Sequence, residues 1–174
     1  VQSLLPAGAR VATGGSMTLN ECGVTALLRS GGFTYRDQSA EGATAEDKEA
    51  AYLSAFTAAV YLTSANAVTE SGEVYEMDGR ANRVAAICWG PKSVILVVGR
   101  NKIVPDVEAA RQRNTRIAAP ANAHRLGCKT PCAVTGVCTN CRSEDRICCT
   151  EVVLRHQRAK KRVKVVLVNE ELGY

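Results

Sequence analysis

Apolar positions along the chain switch between two periods. Residues 9–15 (ARVATGG) form a short apolar run ending in two glycines, and Leu19, Val24, Leu27 and Leu28 then recur at helical spacing until Gly31-Gly32. This predicts a strand, a glycine turn and a helix. Phe33–Asp37 reads as a second strand, and Thr44 followed by Asp47 is a capping-box pattern opening a helix over 45–58. Val60–Thr63 predicts a strand running into a polar loop, SANAVTESG, with a further strand at Glu73–Met77 and a helix at Asn82–Trp89. The run SVILVV at Ser93–Val98 is the most apolar in the chain and suits a central strand covered on both faces. Asp106–Ala119 predicts a helix broken near Pro120. Residues 128–149 read mostly as loop, and Cys148–Leu154 and Val163–Val168 as paired strands flanking a basic turn. Strands alternating with helices predict an α/β fold with a mostly parallel sheet. With no internal repeat or low-complexity linker, one domain over residues 1–174 is the simplest account, carrying 128–149 as an inserted loop.

Composition adds bounds rather than a function. The chain is 46% hydrophobic and 22% charged, with only 5% aromatics, so its core is built from Val, Ala, Leu and Ile. Nothing approaches the roughly 18 successive apolar residues of a membrane span. No charged-then-apolar leader opens the chain, and its first residue is Val, which reads as a processed or truncated start. Net charge is +5, much of it from Arg155–Lys164 (RHQRAKKRVK). No aromatic side chain is interleaved there to stack on bases, so the run reads as a solvated turn and no nucleic-acid partner is expected.

Three polar loops follow strands, where ligands of open α/β sheets sit. The first is Thr13-Gly14-Gly15-Ser16-Met17-Thr18, where glycines let backbone N–H groups approach an anion, or where Ser16 or Thr18 simply caps a helix. The second is Thr63-Ser64-Ala65-Asn66-Ala67-Val68-Thr69, closed by Gly72, and the third is Gly99-Arg100-Asn101-Lys102. Lys102 can neutralise a phosphate or carboxylate, while Asn66 and Asn101 both donate and accept hydrogen bonds. Together they predict a pocket for a small anionic ligand. In Asp78-Gly79-Arg80-Ala81-Asn82-Arg83, Asn82 or Arg83 points into the same pocket, or the segment is only a turn. Glu21 is either a general base or a solvated helix carboxylate. With two histidines and no Ser–His–Asp set, Walker loop or HExxH, general bases active at neutral pH are few.

Six of the eight cysteines, Cys128, Cys132, Cys138, Cys141, Cys148 and Cys149, fall in one window, GCKTPCAVTGVCTNCRSEDRICC. A metal or iron–sulfur centre, a disulfide framework and redox chemistry are the three explanations. The rest of the chain carries only Cys22 and Cys88, and such bunching favours a reducing cytoplasm and a local metal site. Cys132-x5-Cys138-x2-Cys141-x6-Cys148 contains one C-x2-C chelate with a cysteine on each side, enough for tetrahedral zinc or an iron–sulfur cluster. The spacing matches neither a zinc ribbon nor a ferredoxin run, and free thiols are the bland reading. Lys129, Arg142 and Arg146 either favour thiolate ligation or are exposed loop charges.

The blocks GGSMTLNECG, LTSANAVTESGEV, DGRANRVAAICWGPKSVILVVGRNKIVPD, AAPANAHRLGCKTPCAVTGVCTNCRSEDRICC and VVLVNEELGY, in this order, resemble the LUD (lactate-utilisation) domain family from about Ala9 to Tyr174. The resemblance implies a three-layer α/β fold like that of sugar-phosphate isomerases, CoA transferases and formyltetrahydrofolate cyclo-ligases, with a helix–strand unit preceding Val1 in most members. It implies a pocket of Gly14, Gly15, Ser16, Thr18, Ser64, Asn66, Thr69, Gly99, Asn101 and Lys102. Its cysteine-containing subfamily resembles iron–sulfur-associated members, implying Cys132, Cys138, Cys141 and Cys148 as ligands of a cluster such as [4Fe–4S], with zinc as the alternative. Cys149 falls outside that pattern. The implied function is a cytoplasmic, iron–sulfur-associated subunit, non-catalytic or electron-relaying, of a system that oxidises lactate to pyruvate beside other iron–sulfur proteins. The alternatives are a transferase- or cyclo-ligase-like enzyme for a phosphate, carboxylate or CoA ester, and a zinc-stapled structural module. A homodimer is one possible assembly.

Overall fold

The Val/Ile/Leu run at residues 93–99 forms the most deeply buried strand of the protein, with Val94, Ile95, Leu96 and Val98 wholly excluded from water. The computed structural model describes every residue from Val1 to Tyr174. In chain order the elements are β1 Arg10–Thr13, α1 Met17–Glu21, α2 Val24–Arg29, β2 Thr34–Tyr35, α3 Ala45–Ala55, β3 Val60–Thr63, β4 Ala67–Thr69 and β5 Val74–Asp78. They continue as α4 Asn82–Cys88, β6 Ser93–Gly99, β7 Ile103–Val104, α5 Val107–Arg113, α6 Ala119–Arg125, α7 Pro131–Thr135, β8 Thr150–Leu154 and β9 Val163–Val168. This is the mixed α/β architecture with a mostly parallel central sheet that the alternating pattern predicts. The chain divides into two compact units, the first Val1–Ser64, Ala85–Arg100 and Gln157–Gly173, the second Ala65–Val84, Asn101–His156 and Tyr174.

The first unit holds a five-stranded, all-parallel sheet in the order β2-β1-β3-β6-β9. Side chains alternate faces along a strand. Ile95 and Val97 accordingly join Val11, Val60 and Leu62 against Leu19, Val24 and Leu28 of α1 and α2. Val94, Leu96 and Val98 face the other way and are as deeply buried, which is why β6 reads as continuously apolar. Each such side chain contributes about 1.5–3 kcal/mol by leaving water. The single helix predicted after the glycine turn is two helices, because Gly23 takes φ 74° and turns the chain between them. The capping box is present: Thr44 Oγ1 accepts from the Asp47 N–H while the Asp47 carboxylate accepts from the Thr44 N–H.

The basic run is not wholly a solvated turn. Arg162 donates from Nε to the Pro91 carbonyl, and from Nη1 and Nη2 to those of Ile87 and Ala86, so it satisfies carbonyls at the end of α4.

The second unit holds a four-stranded sheet, β7-β4-β5-β8, antiparallel except for the β4–β7 pair. Two sequence expectations are corrected here. The loop expected after Thr63 contains β4, whose Ala67, Val68 and Thr69 are all buried; the segment is too short for its period to stand out. The two C-terminal strands do not pair with each other: β8 runs antiparallel to β5, and β9 runs parallel to β6. Each strand takes a sheet edge of its own, and adjacency in sequence does not decide which. Pro120 also fails to break its helix. A π-helical stretch, Asn114–Ala118, precedes it, and Pro120 falls in the first turn of α6, where a missing N–H costs little. No helix is long and apolar enough to cross a membrane.

Candidate functional site

The second unit gathers its polar residues around Asn66, just before β4. Asn66 Oδ1 accepts from the Met77 N–H at 3.0 Å and from Arg83 Nη2 at 3.1 Å. Its Nδ2 donates to Asn114 Oδ1 at 3.4 Å, and its backbone carbonyl accepts from Arg113 Nη1 at 2.7 Å. One residue thus ties β5, α4 and the π-helical stretch together through its side chain, and α5 through its carbonyl.

Two charged groups dominate this network. Glu76, in β5, is fully buried, and its Oε2 pairs with Arg83 from α4. Arg83 also donates to the Met77 carbonyl at 2.7 Å and lies 3.7 Å from Asp78. Burial pushes the Glu76 carboxyl above the usual carboxylate range, outweighing the attraction of Arg83 and Lys102. Arg113, at the end of α5, is only 8% exposed. Its Nε donates to the Asn101 carbonyl at 2.9 Å and its Nη1 to that of Asn66, and no carboxylate lies within ion-pair reach. Burial alone lowers its pKa. Lys102 is 4% exposed, in the turn after β6, and close enough for its charge to act on Glu76.

Asn66, Asn101 and Lys102 are therefore brought together, with Arg83 beside them. Thr69 is not: its hydroxyl accepts from the Glu73 N–H at 2.9 Å and donates to Glu73 Oε2 at 3.2 Å, which closes the β4–β5 turn. Gly14, Gly15, Ser16, Thr18, Ser64 and Gly99 belong to the first unit. There the Gly14 N–H bonds to the Leu62 carbonyl, Ser16 caps α1 through the Leu19 N–H, and the wholly buried Thr18 donates to the Leu172 carbonyl. Glu21 accepts from the Gly173 N–H at 2.5 Å, which fastens the C-terminal segment. The first unit also has a cleft of about 470 Å³, lined by Arg10, Thr34, Phe56, Ala59, Gly90 and Lys92 at the amino ends of its strands, opposite to the expected side.

All eight cysteines are free thiols. Cys132, in α7, is buried, with Sγ 3.4 Å from the Thr130 hydroxyl. Burial pushes the Cys128 and Cys148 thiols up, and the two are near enough to sense each other and Cys132, with Cys138 also acting on Cys148. Cys141 turns elsewhere: hydrogen bonds from Ser143 hold its thiol below the usual range, helped by the charge of Arg146. The donor chemistry suits a thiolate-bound metal, but in this conformation no three His, Cys, Asp or Glu side chains are gathered to hold one, so the residues as folded do not fit a four-thiolate centre.

The family description "LUD domain" matches residues 1–168. The chain belongs to the LUD domain family. Among solved structures, this LUD domain is similar to a DUF162 family protein from Deinococcus radiodurans, at 16% identity over 93% of this chain and 89% of that one, with a TM-score of 0.41. No curated protein matches it.

Sequence reasoning missed Glu76, Arg113 and Asn114 in this LUD domain. Glu76 carried a faint signal, because it shares a strand face with Val74 and a carboxylate on an apolar face invites explanation. Arg113 carried none, lying among the charged residues VEAARQR. Chemically, Arg83 and Lys102 act on Glu76 beside Asp78, and Glu76 resists ionisation; Arg113, held by the Asn66 and Asn101 carbonyls, adds a third cation with no carboxylate within ion-pair reach. Such a cluster attracts an anion and holds it with directed N–H donors.

Proposed function

We propose that this lactate-utilisation-related protein binds a small organic carboxylate in its second unit, through Arg113 and Lys102. The observation that carries the reading is Arg113, a buried guanidinium held by two backbone carbonyls and no carboxylate, with Nη2 making no hydrogen bond within the protein. Burying an uncompensated charge is expensive. An anionic ligand offsets that cost, and a planar carboxylate matches the guanidinium's donor geometry. Lys102 supplies the second charge. Substrates of the CoA-transferase and cyclo-ligase kind carry such a group, and the carboxylates of lactate and pyruvate do as well.

Calorimetric titration of pyruvate and inorganic phosphate into the wild type and Lys102→Met tests this. Saturable binding of pyruvate, weakened more than tenfold by the substitution, is expected. Equal behaviour of the two proteins toward pyruvate, or heat from phosphate only or from neither probe, contradicts it.

A second reading is favoured by the neighbouring cysteines around Cys128 and Cys148, whose thiols feel Cys132, with Cys138 also acting on Cys148. In it the protein is the iron–sulfur-associated subunit of a system oxidising lactate to pyruvate, with other iron–sulfur proteins as electron partners in a reducing cytoplasm. Ligation by Cys132, Cys138, Cys141 and Cys148 then requires Cys141 to leave Ser143. Anaerobically purified protein is expected to contain iron and sulfide; zinc instead supports a structural staple, and neither metal contradicts both.

A further inference from the structure

Glu76 Oε1 is a buried oxygen with no hydrogen-bond partner, in a residue with no exposure. Its twin, Oε2, is taken by Arg83. Leaving a buried polar group unsatisfied is costly, so the loose oxygen calls for an occupant. The charged groups acting on it are Arg83 from α4, Lys102 from the turn after β6, and Asp78 on its own strand. Arg83 also holds the side chain of Asn66, whose carbonyl holds Arg113, so Glu76 is wired to the cations that would meet a ligand.

We propose that Glu76 carries a proton on Oε1 and donates it as a hydrogen bond to an oxygen of the bound carboxylate, so that this site takes up the anion together with a proton. The inference rests on the carboxylate-binding reading above and adds the residue that discriminates for such a ligand. No covalent bond changes except the O–H of Glu76. Where Glu76 is ionised in the empty protein, one proton comes from solvent as the ligand enters. With Glu76 neutral, Arg83 and Lys102 face only Asp78, and the ligand meets excess positive charge. With Glu76 ionised, two carboxylates would share one water-poor site, and each would repel the other. Burial favours the neutral form, in keeping with this arrangement. Affinity then falls about tenfold per pH unit once pH exceeds the Glu76 pKa of the free protein, because one proton is linked to binding.

The test is calorimetry with pyruvate, which stays ionised from about pH 5 to about pH 9. Titrations in two buffers of different ionisation enthalpy give the number of protons taken up directly, on the unmodified protein. Glu76→Gln, which keeps a donor at the same place but cannot ionise, serves as the comparison. The expected result is uptake approaching one proton at the alkaline end, an affinity falling with pH in the wild type, and a flat profile for Glu76→Gln. Binding without proton uptake, or a pH slope that survives in Glu76→Gln, overturns the role of Glu76 and leaves the carboxylate site standing. Absence of pyruvate binding at every pH overturns the site itself and this inference with it.

Discussion

Arg113 Nη1 lies 2.7 Å from the Asn66 carbonyl oxygen, and this bond joins the end of α5 to the residue that opens β4. The same guanidinium reaches the Asn101 carbonyl, so one cation fixes two of the loops predicted to hold an anion. Replacing it tests structure and binding separately. Arg113→Met removes two charge-assisted hydrogen bonds, each worth about 1.5–3 kcal/mol, and is expected to lower the urea midpoint clearly and abolish carboxylate binding. Arg113→Lys keeps the charge but cannot span both carbonyls, and should lose stability as well. A midpoint unchanged in both variants would show that these bonds hold nothing together.

Much of the fold was legible because it follows local pattern. The apolar run of β6, the capping box at Thr44 and Asp47, and the glycine-ended strand β1 each state their structure within a few residues. The partners of β8 and β9 were not legible, since a strand's choice of sheet edge depends on residues far away in sequence, as in Val74 opposite Leu154 and Val94 opposite Val163. In the site, Asn66, Asn101 and Lys102 stood out as polar residues after strands. Arg113 looked like an ordinary helix-surface arginine, and only the folded chain shows it buried. Glu76 left only a faint trace, a carboxylate sharing a strand face with Val74, because its burial depends on the elements packed over β5.

Glu76 makes stability depend on pH in a defined sense. Its folded pKa lies above the ordinary value of 4.5, so the protein loses stability as pH rises from that value through the folded pKa. Glu76→Gln removes this titration. The midpoint of the wild type relative to Glu76→Gln should therefore fall with rising pH across that window. A constant difference from acid to neutral pH would mean that the carboxyl ionises alike in both states.

Arg162 should behave unlike its neighbours in the basic run. Its three carbonyl bonds, two at the end of α4 and one to Pro91 beyond it, predict a loss of about 2–3 kcal/mol for Arg162→Ala. Arg158, exposed and outside any strand, should tolerate the same change with little effect. Chemical denaturation of both variants decides the matter; equal losses would return the whole run to a solvated surface.

Two glycines separate backbone strain from crowding. Gly90 has φ 109°, and an added Cβ would sit 3.0 Å from the Cα and Cδ1 of Phe56. Gly23 has φ 74° with nothing within 4 Å of that position. Gly23→Ala should cost about 1–2 kcal/mol from conformation alone. Gly90→Ala should cost more, because Phe56 must also move. Urea midpoints in the reverse order would refute this packing.

The central claim is that a buried cluster around Arg113 receives a small carboxylate. The most direct measurement is the side-chain Nε–Hε resonance of Arg113 in protein labelled with nitrogen-15 at arginine, followed while pyruvate is added and assigned by Arg113→Lys. The expected result is a saturable shift of the Arg113 and Arg83 signals, with exposed arginines such as Arg158 unmoved. Signals that stay still, or that all drift together in proportion to added salt, would contradict it.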